Sequence, residues 1–321
     1  MSDTEIIKIL VSERKCQIIR KLVTGGMGSI FLAKMNGVAG FAKTVAIKTI
    51  NPERLSDPTV IKLFIDEAKL VSDLVHENIV QVYDLGMQHD IYFIIMEYVE
   101  GKSISQILQR LHDLKRVFEN KVACIIGSKI AKALHYAHTK TDVNGVPMNI
   151  VHRDVTPGNI MINSYGVVKL ADFGIAKALT MTGPDEKKMI MGKLPYMSPE
   201  QINAVGTDPR TDVFTLGLVL YEMMTGKRVY DEAKGRKDLI EKMNKFRIIP
   251  PKNLNPYISN ELEVVIMKCL QINPDDRYQT AQEVQNDLKF ILYANGFLNA
   301  QDLVIQFLQK IFEPHEICLK H

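Results

Sequence analysis

The sequence predicts an α+β fold of two lobes, a small β-rich lobe followed by a larger helical lobe. In the first part of the chain, short apolar and β-branched stretches alternate with glycine-containing breaks, which is typical of strands. After Gly101 the apolar residues recur at helical spacing. The chain has 321 residues, 46% of them hydrophobic, so it is long enough to bury a core in both lobes.

Five strands are predicted before Gly101. They are separated by turn-forming pairs such as Gly25-Gly26 and Asn36-Gly37. The predicted strands span residues 17–23, 29–34, 44–50, 79–83 and 91–96.

One helix is predicted between the third and fourth strands. Asp57 before Pro58 is typical of an N-cap followed by proline at the first helical position. Apolar residues then recur at helical spacing, at Ile61, Phe64, Ile65, Ala68, Val71 and Val75.

Helices are predicted to dominate the second lobe, up to about residue 292. Residues 122–138 form a long helical run. Residues 213–224 are apolar on nearly every side, and a helix of that kind is buried. We therefore expect the helix over residues 213–224 to lie at the centre of its lobe.

Two further stretches lie outside this pattern. Residues 139–149 contain Asn144-Gly145 between two valines, a pattern that fits a small hairpin, but a solvated loop is the safer interpretation. A helical stripe then precedes Pro314 and consists of Leu303, Val304, Phe307, Leu308, Ile311 and Phe312. We expect this stripe to pack on the helical lobe, and partner binding is the alternative.

Composition excludes several classes of protein. The formal net charge is +3, and without a block of Lys or Arg it argues against nucleic-acid or membrane binding as the main activity. The four cysteines form no Cys-x-x-Cys pair, which predicts reduced, mostly buried thiols. Neither a signal peptide nor an apolar stretch long enough for a membrane span is evident. These features predict a cytoplasmic protein.

Two acidic motifs carry the candidate chemistry. Asp154 lies in His152-Arg153-Asp154-Val155-Thr156-Pro157-Gly158-Asn159, and Asp172 begins Asp172-Phe173-Gly174 after a short apolar run. Transfer of a phosphoryl group to a hydroxyl needs one carboxylate to orient the hydroxyl and another to hold magnesium. Asn159, five residues after Asp154, offers a further metal oxygen.

Together with Lys48, Glu67 and Ser198-Pro199-Glu200, these motifs resemble the bacterial branch of the eukaryotic-type Ser/Thr protein kinases, over about residues 17–293. The resemblance implies a protein-kinase-like fold, with residues 1–16 as an N-terminal flank, 17–98 as the N-lobe, 99–293 as the C-lobe and 294–321 as a helical extension. Each motif alone has a structural alternative: a plain turn for the glycines, a solvated edge residue for Lys48, and core side chains for His152 and Met96.

The resemblance assigns roles residue by residue. Lys48 is the cation for the α- and β-phosphates, and Glu67 is its partner. Asp154 orients the acceptor hydroxyl, while Asn159 and Asp172 hold Mg²⁺. The other nucleotide contacts are Gly25, Gly26, Gly28, Ile30, Ala46, Met96, Glu97, Val99 and Met161.

The same resemblance implies two structural groupings. Phe173 and His152 are expected to stack with Val71, and Glu200 is expected to pair with Arg277. The second pairing favours a protein kinase over a small-molecule kinase of related fold.

The sequence departs from the family pattern at three places. Thr156 stands where these kinases carry lysine, and Lys193 stands where they carry threonine. One hypothesis is that the two residues are exchanged, with Lys193 supplying the ammonium and Thr156 bonding to it. The alternative is that catalysis has decayed. Val23 also replaces the first glycine of the loop at Gly25.

By resemblance, Arg153 implies a basic pocket that a phosphate on the activation segment neutralises in many relatives. In this chain, Thr180 and Thr182 are the candidate phosphorylation sites. Asp185 and Glu186 are alternative anions, and both threonines being ordinary loop residues is a further alternative.

The resemblance therefore predicts an enzyme that uses ATP and Mg²⁺ to phosphorylate Ser or Thr, rather than Tyr, on protein substrates. Self-phosphorylation in trans is a further expectation. The alternatives are a pseudokinase that acts as a nucleotide-binding scaffold and a small-molecule kinase.

Overall fold

The computed structural model describes residues 16–25, 28–88, 91–173, 194–230, 237–238, 241–242, 248–296 and 300–317. These residues form two compact units. The first contains the described residues up to His76 together with Val80–Tyr98, and the second contains Glu77–Ile79, Val99–Phe173 and the described residues from 194 onward. The first unit is built on a sheet and the second is mostly helical, so the predicted α+β class is confirmed.

The first unit contains one antiparallel sheet in the order β1-β2-β3-β5-β4. Its strands are β1 (Cys16–Thr24), β2 (Gly28–Asn36), β3 (Ala42–Ile50), β4 (Val82–Gln88) and β5 (Ile91–Glu97). Alternate residues of neighbouring strands, including Phe31, Val45, Ile47, Phe93 and Ile95, share a buried cluster. This burial fixes the register, because a slip of one residue would expose the whole set.

The fourth strand differs from its prediction. It begins at Val82 and continues to Gln88, whereas residues 79–83 were expected. Gly86 lies inside this strand, and the ring of Phe93 fills the space that a side chain would take. A Cβ at position 86 would sit 2.3 Å from Phe93 Cζ, so only glycine fits there. Ile79 forms only an isolated parallel bridge to Leu170, within the second unit.

The helix of the first unit, α1 (Pro58–Ser72), begins as predicted. The Asp57 side chain accepts a hydrogen bond from Thr59 N at 2.9 Å, which caps the helix. Its buried face packs on the sheet through Phe64 and Ala68. The prediction for Val75 was wrong, because the helix ends at Ser72 and Val75 is 70% exposed.

The second unit combines helices with a small antiparallel sheet in the order β6-β7-β8. The sheet consists of β6 (Gly101–Ser103), β7 (Ile160–Asn163) and β8 (Val168–Leu170). The helices are α2 (Ile104–Asp113), α3 (Asn120–His138), α4 (Pro199–Ile202), α5 (Pro209–Thr225), α6 (Asn260–Cys269), α7 (Ala281–Ala294), α8 (Ala300–Gln309) and α9 (Pro314–Ile317).

Helix α5 is the buried centre of this unit. Every residue from Thr211 to Thr225 is buried, as the continuous apolar run predicts. Helix α3 packs against α5 and α7. Within the described ranges, no helix combines the length and the apolar character that a membrane crossing requires.

The stretch after α3 is a short hairpin. Thr141 pairs with Pro147, and Asp142 N donates to Val146 O at 2.9 Å. The Asp142 carboxylate accepts bonds from the backbone N–H groups of Asn144 and Val146, which holds the turn. Residues 139–149 thus contain the hairpin rather than the solvated loop that is the safer interpretation of the sequence, and the tip is exposed at Val143.

Three of the four cysteines lie in the described residues, and each of the three is a buried thiol. Burial raises the pKa of the Cys124 and Cys269 thiols to about 12. These thiols are therefore protonated and unreactive near neutral pH. Cys318 lies outside the described residues.

Candidate active site

Lys48 and Glu67 form an ion pair within the first unit. Lys48 lies in β3, opposite Ile30 of β2 and Ile94 of β5. Its Nζ is 2.9 Å from Glu67 Oε1 on α1, and the two side chains are 15% and 9% exposed. The pair therefore links the centre of the sheet to the helix.

The other predicted nucleotide contacts of this unit lie on neighbouring strands. Ala46 is opposite Met96 across β3 and β5. Glu97 ends β5, and its backbone N donates to Gln81 O at 2.8 Å. Val99 and Met161 belong to the second unit, where Val99 is buried and Met161 half-buried.

The glycine-rich turn is only partly within the described residues. Gly25 N donates to Gly28 O at 2.8 Å. A Cβ on Gly28 would lie 1.7 Å from Thr49 O, so this glycine is required by the packing of β2 on β3. Gly26 lies outside the described residues.

In the second unit, Asp212 of α5 holds the loop that carries Asp154. The Asp212 carboxylate accepts bonds of 2.8 Å from His152 N and from Arg153 N, and its Oδ2 lies 2.8 Å from His138 Nε2. Burial alone would raise the pKa of Asp212, but the His138 contact and His152 outweigh it and hold this pKa below its usual value. The carboxylate is thus an ionised anchor for the loop.

His152 joins this loop to the residue before Asp172. Asp154 N donates to His152 Nδ1 at 3.2 Å, so Nδ1 is an acceptor and the proton lies on Nε2. Nε2 then donates to Ala171 O at 3.1 Å. The ring of His152 also contacts the ring of Phe173, with centroids 4.5 Å apart. His152 is therefore a buried linker, and part of its predicted stacking group is present.

Asp154 and Asn159 are in direct contact. Asn159 Nδ2 donates to the Asp154 carboxylate at 2.6 Å and to Asp154 O at 2.8 Å. Asn159 O in turn accepts from Ala171 N at 2.8 Å. The predicted base and one predicted metal ligand, Asn159, therefore share a hydrogen-bond network that reaches Ala171, the residue before Asp172.

Two residues of this network have a left-handed backbone. Arg153 has φ of 63° and Asp172 has φ of 54°. For residues with a Cβ this conformation costs roughly 1–3 kcal/mol, and it persists only where surrounding contacts hold it. Here the contacts are those of Asp212 to Arg153 N and of His152 to Ala171 O. Such strain is typical of functional sites.

The residues of the second unit offer oxygen donors suited to Mg²⁺. The two bonds from Asn159 Nδ2 fix the amide, so the oxygen that remains for a cation has a set direction. Mg²⁺ binds carboxylate and amide oxygens and usually takes only one or two of them from the protein, with phosphates and water completing the set. Asp172 and Asn159 fit that requirement.

Glu200 and Arg277 form a fully buried pair in the second unit. Arg277 Nη1 and Nη2 donate to the two carboxylate oxygens of Glu200 at 2.8 and 2.9 Å. Thr211 Oγ1 also donates to Glu200 at 2.7 Å. Burial alone would raise the pKa of Glu200, but Arg277 outweighs it and lowers this pKa below its ordinary value.

Sequence reasoning missed four residues that position the Asp154 loop. These are Asp212 and His138, described above, and Gln201 and Thr207. Gln201 Nε2 donates to Arg153 O at 2.8 Å, and Arg153 Nε donates to Thr207 Oγ1 at 2.9 Å. The sequence could have pointed to Asp212, because it is a carboxylate near the start of a mostly apolar helix. It could not have pointed to Gln201 and Thr207, because ordinary surface positions carry the same side chains.

Several predicted residues remain without a structural account. Lys193, Thr180 and Thr182 lie outside the described residues. Thr156 is buried, and its backbone oxygen accepts from Asn159 N at 3.0 Å.

The chain matches the protein kinase domain family over residues 16–289. A tyrosine-protein kinase of Myxococcus xanthus, MasK, is 36% identical over 275 residues, which cover 86% of this chain and 42% of that protein. A probable serine/threonine-protein kinase of Clostridium perfringens, CPE1738, is 38% identical over 86% of this chain and 38% of its own length. The serine/threonine-protein kinase PrkC of Bacillus subtilis is 34% identical over 90% of this chain and 42% of its own length.

Solved structures share the fold. A crystal structure of the PknI kinase domain of Mycobacterium tuberculosis has a TM-score of 0.64 and 24% identity, and the match covers 86% of this chain and 95% of that domain. This chain spans about two-fifths of the length of the relatives named above.

Proposed function

This chain belongs to the protein kinase domain family, and on that premise we propose that it transfers the γ-phosphate of ATP to Ser or Thr hydroxyls of protein substrates. Use of ATP, typically with Mg²⁺, is common to the family. The observation that carries the proposal is the bonded network of Asp154, Asn159, His152 and Ala171, the residue that precedes Asp172.

Each charged group has a distinct part in this proposal. Asp154 accepts a hydrogen bond from the substrate hydroxyl and takes up its proton as the phosphoryl group transfers. The amide of Asn159 keeps the Asp154 carboxylate in one orientation. Asp172 and Asn159 hold Mg²⁺, whose charge offsets that of the phosphates. Lys48, oriented by Glu67, contacts the α- and β-phosphates.

The departure at Thr156 favours a second candidate, a scaffold that binds nucleotide without catalysis. We propose instead that Lys193 supplies the missing ammonium, because the chain carries both residue types in exchanged places. Autophosphorylation of Lys193→Ala and Lys193→Thr is the measurement. Unchanged turnover in both variants rules out a catalytic part for Lys193.

We also propose that a phosphate on Thr180 or Thr182 reaches the pocket of Arg153. The Arg153 guanidinium already donates to Thr207, which shows that it can bind a neutral hydroxyl oxygen. A phosphate is a stronger acceptor and would compete for this donor. Mass spectrometry of the active protein that finds no phosphate on either threonine removes this proposal.

The choice of acceptor remains open to a direct test. The names of the relatives include Ser/Thr kinases and a tyrosine kinase. Labelled γ-phosphate should appear on Ser or Thr of a generic protein and of the chain itself, in trans, when the products are mapped. Asp154→Asn should reduce incorporation by about 10²–10⁴-fold, because it removes the base. Incorporation that is equal in this variant contradicts the assignment of Asp154.

The remaining parts of the proposal concern organisation and place. Residues 17–98 and 99–293 serve as the two lobes of the catalytic domain, with 294–321 as an extension. The cytoplasm, where ATP is available, is the proposed location.

A further inference from the structure

The last described segment of the chain is an ordered part of the second unit. It comprises residues 300–317, which contain α8 and α9, and we name it the C-terminal brace. It lies beyond residues 16–289, which match the kinase family. Its buried apolar side chains are Val304, Phe307, Leu308, Ile311, Phe312 and Ile317. Phe307 stacks on Phe118, with ring centroids 5.0 Å apart.

The C-terminal brace fits closely against the turn between β7 and β8. Gln301 Nε2 donates to Tyr165 O at 2.7 Å. Gly166 has φ of +74°, and a Cβ there would lie 2.9 Å from Gln301 O and 3.0 Å from Ile305 Cγ1. Asn163 Oδ1 accepts from the N–H groups two and four residues later, which closes the turn. The β7–β8 turn is therefore held by its own hydrogen bonds, and α8 packs directly against it.

The C-terminal brace also contacts β6 and α2. Arg110 Nε on α2 donates to Ile311 O at 2.8 Å. Lys102 Nζ on β6 lies 5.4 Å from the centroid of the Phe312 ring. The first turn of α2 in turn holds the loop of Asp154, because Ser105 N donates to Pro157 O at 2.9 Å. Contacts of the brace thus reach two elements that adjoin the candidate active site.

Strands β7 and β8 are flanked by the predicted metal ligands. Asn159 immediately precedes β7, and Asp172 follows β8 by two residues. The strands are paired from Ile160–Leu170 to Ile162–Val168, and Ala171 N donates to Asn159 O. A rigid turn at one end of this pair therefore limits how far its two strands can shift at the other end.

We infer that the C-terminal brace is a positioning element for the Mg²⁺-nucleotide site, acting through the β7–β8 turn on Asn159 and Asp172. The inference rests on the proposed function, because it assigns the affected residues to Mg²⁺ and ATP. The inference makes the C-terminal brace, which lies beyond the matched family span of residues 16–289, part of the catalytic unit.

Two glutamines of α8 provide a matched test in the full chain. Gln301→Ala removes the bond to Tyr165 O, whereas Gln306→Ala changes an exposed residue of the same helix. Gln301→Glu keeps the size but has no N–H to donate, so it should behave like Gln301→Ala. The measurements are amide hydrogen exchange at residues 163–168, and the Kd of Mg-ATP by calorimetry at a temperature where all variants are folded.

We expect Gln301→Ala to speed exchange in the turn and to raise the Kd of Mg-ATP by about three- to tenfold, since a lost hydrogen bond has effects of this order. Gln306→Ala should change neither quantity. The kcat of Gln301→Ala should fall less than its affinity for Mg-ATP. Faster exchange in the turn with an unchanged Kd means that the brace is only structural, and unchanged exchange means that it does not hold the turn. Either result overturns the inference.

Failure of the proposed function gives a different pattern. If the parent chain binds no Mg-ATP, the proposed function and this inference both fall. If the parent chain binds Mg-ATP and both alanine variants bind it equally, only the inference fails. Phe307→Leu, which keeps most of the buried volume, perturbs the C-terminal brace from its packed side, and it should also raise the Kd of Mg-ATP.

Discussion

Two carboxylate–cation pairs, one in each unit, are held with different firmness. Glu200 and Arg277 meet through two parallel bonds, with side chains 7% and 0% exposed. Lys48 and Glu67 meet through an ammonium 2.9 Å from one carboxylate oxygen, with side chains 15% and 9% exposed. A planar guanidinium fixes both the distance and the orientation of its partner, whereas an ammonium on a flexible stem fixes mainly a distance.

The surroundings increase this difference. Arg277 also donates to the backbone oxygens of Arg210, Gln271 and Ile272, and its guanidinium lies over the ring of Phe214. Loss of Arg277 would therefore remove the partner of the buried Glu200 carboxylate and of three backbone oxygens. The comparison teaches that the Glu200–Arg277 pair belongs to the scaffold, whereas the Lys48–Glu67 pair can be broken and remade at smaller cost. The second property suits a switch.

Removal of Arg277 should have the largest effect on stability. Arg277→Ala leaves the buried Glu200 carboxylate without its cation, so the free energy of unfolding should fall by about 3–5 kcal/mol. Chemical denaturation followed by circular dichroism measures this change. Arg277→Lys keeps the charge but not the planar fork, and it should give an intermediate loss. A loss below about 1 kcal/mol for the alanine variant would show that the pair is not structural.

Removal of Lys48 should separate activity from stability. In Lys48→Met the phosphate contact is lost, so turnover should fall by about 10²–10³-fold, as for other lost charge-stabilising donors. The free energy of unfolding should fall by about 1–3 kcal/mol, less than for Arg277→Ala, because Glu67 loses one hydrogen bond where Glu200 loses two. The measurements are initial rates with saturating ATP and a denaturant titration.

Glu67→Gln is the matched control for Lys48→Met. It retains an oxygen acceptor for Lys48, so its turnover should lie between those of the parent chain and Lys48→Met. Equal and large losses of stability in both variants would place this pair in the scaffold as well, and the comparison of the two pairs would fail.

Acid should weaken the scaffold pair. The pKa of Glu200 in the folded chain is below its ordinary value of 4.5. The stability that this carboxylate contributes is therefore present above pH 4.5, and it is lost as the pH falls through the lower pKa of the folded state. The unfolding midpoint should therefore fall as the pH is lowered through that window.

A Glu200→Gln variant tests this assignment, since it has no carboxylate to titrate there. Its unfolding midpoint should be lower at neutral pH and should depend less on pH below 4.5 than that of the parent. Glu313→Gln, at an exposed position, should follow the parent curve. Parallel curves for parent and Glu200→Gln would assign the acid sensitivity to other groups, among them the buried Asp212.

Much of the fold could be predicted because local patterns agreed with the packing. The N-cap at Asp57 and the apolar run of α5 each depend on neighbouring residues only, and both are found as expected. The limits of β4 depended on Phe93, which fills the space beside Gly86 from another strand. Val75 continued an apolar period after the helix had ended at Ser72. A side chain from the neighbouring strand bears on the first case, and the second shows that apolar periodicity does not mark where a helix ends.

The candidate site divides in the same way. The motifs around Asp154 and Asp172 are contiguous, so the chemistry that they serve could be proposed from residue types alone. The groups that hold Asp154 come from distant positions, namely His138, Gln201, Thr207 and Asp212. Polar residues at such separations give no periodic signal, and only a fold brings them to one loop.

The smallest expected effect concerns an ion pair close to Arg277 in sequence but exposed to solvent. Arg210 Nη1 lies 2.7 Å from Asp275 Oδ1, yet the Asp275 side chain is 80% exposed. Asp275→Asn should lower the free energy of unfolding by only about 0.2–1 kcal/mol, because water and salt screen the charges. The difference between parent and variant should shrink further in 1 M salt, as the Debye length falls to about 3 Å. Denaturant titrations at low and high salt measure both changes. A loss as large as that of Arg277→Ala would mean that bond length, rather than burial and bidentate geometry, sets the strength of these pairs.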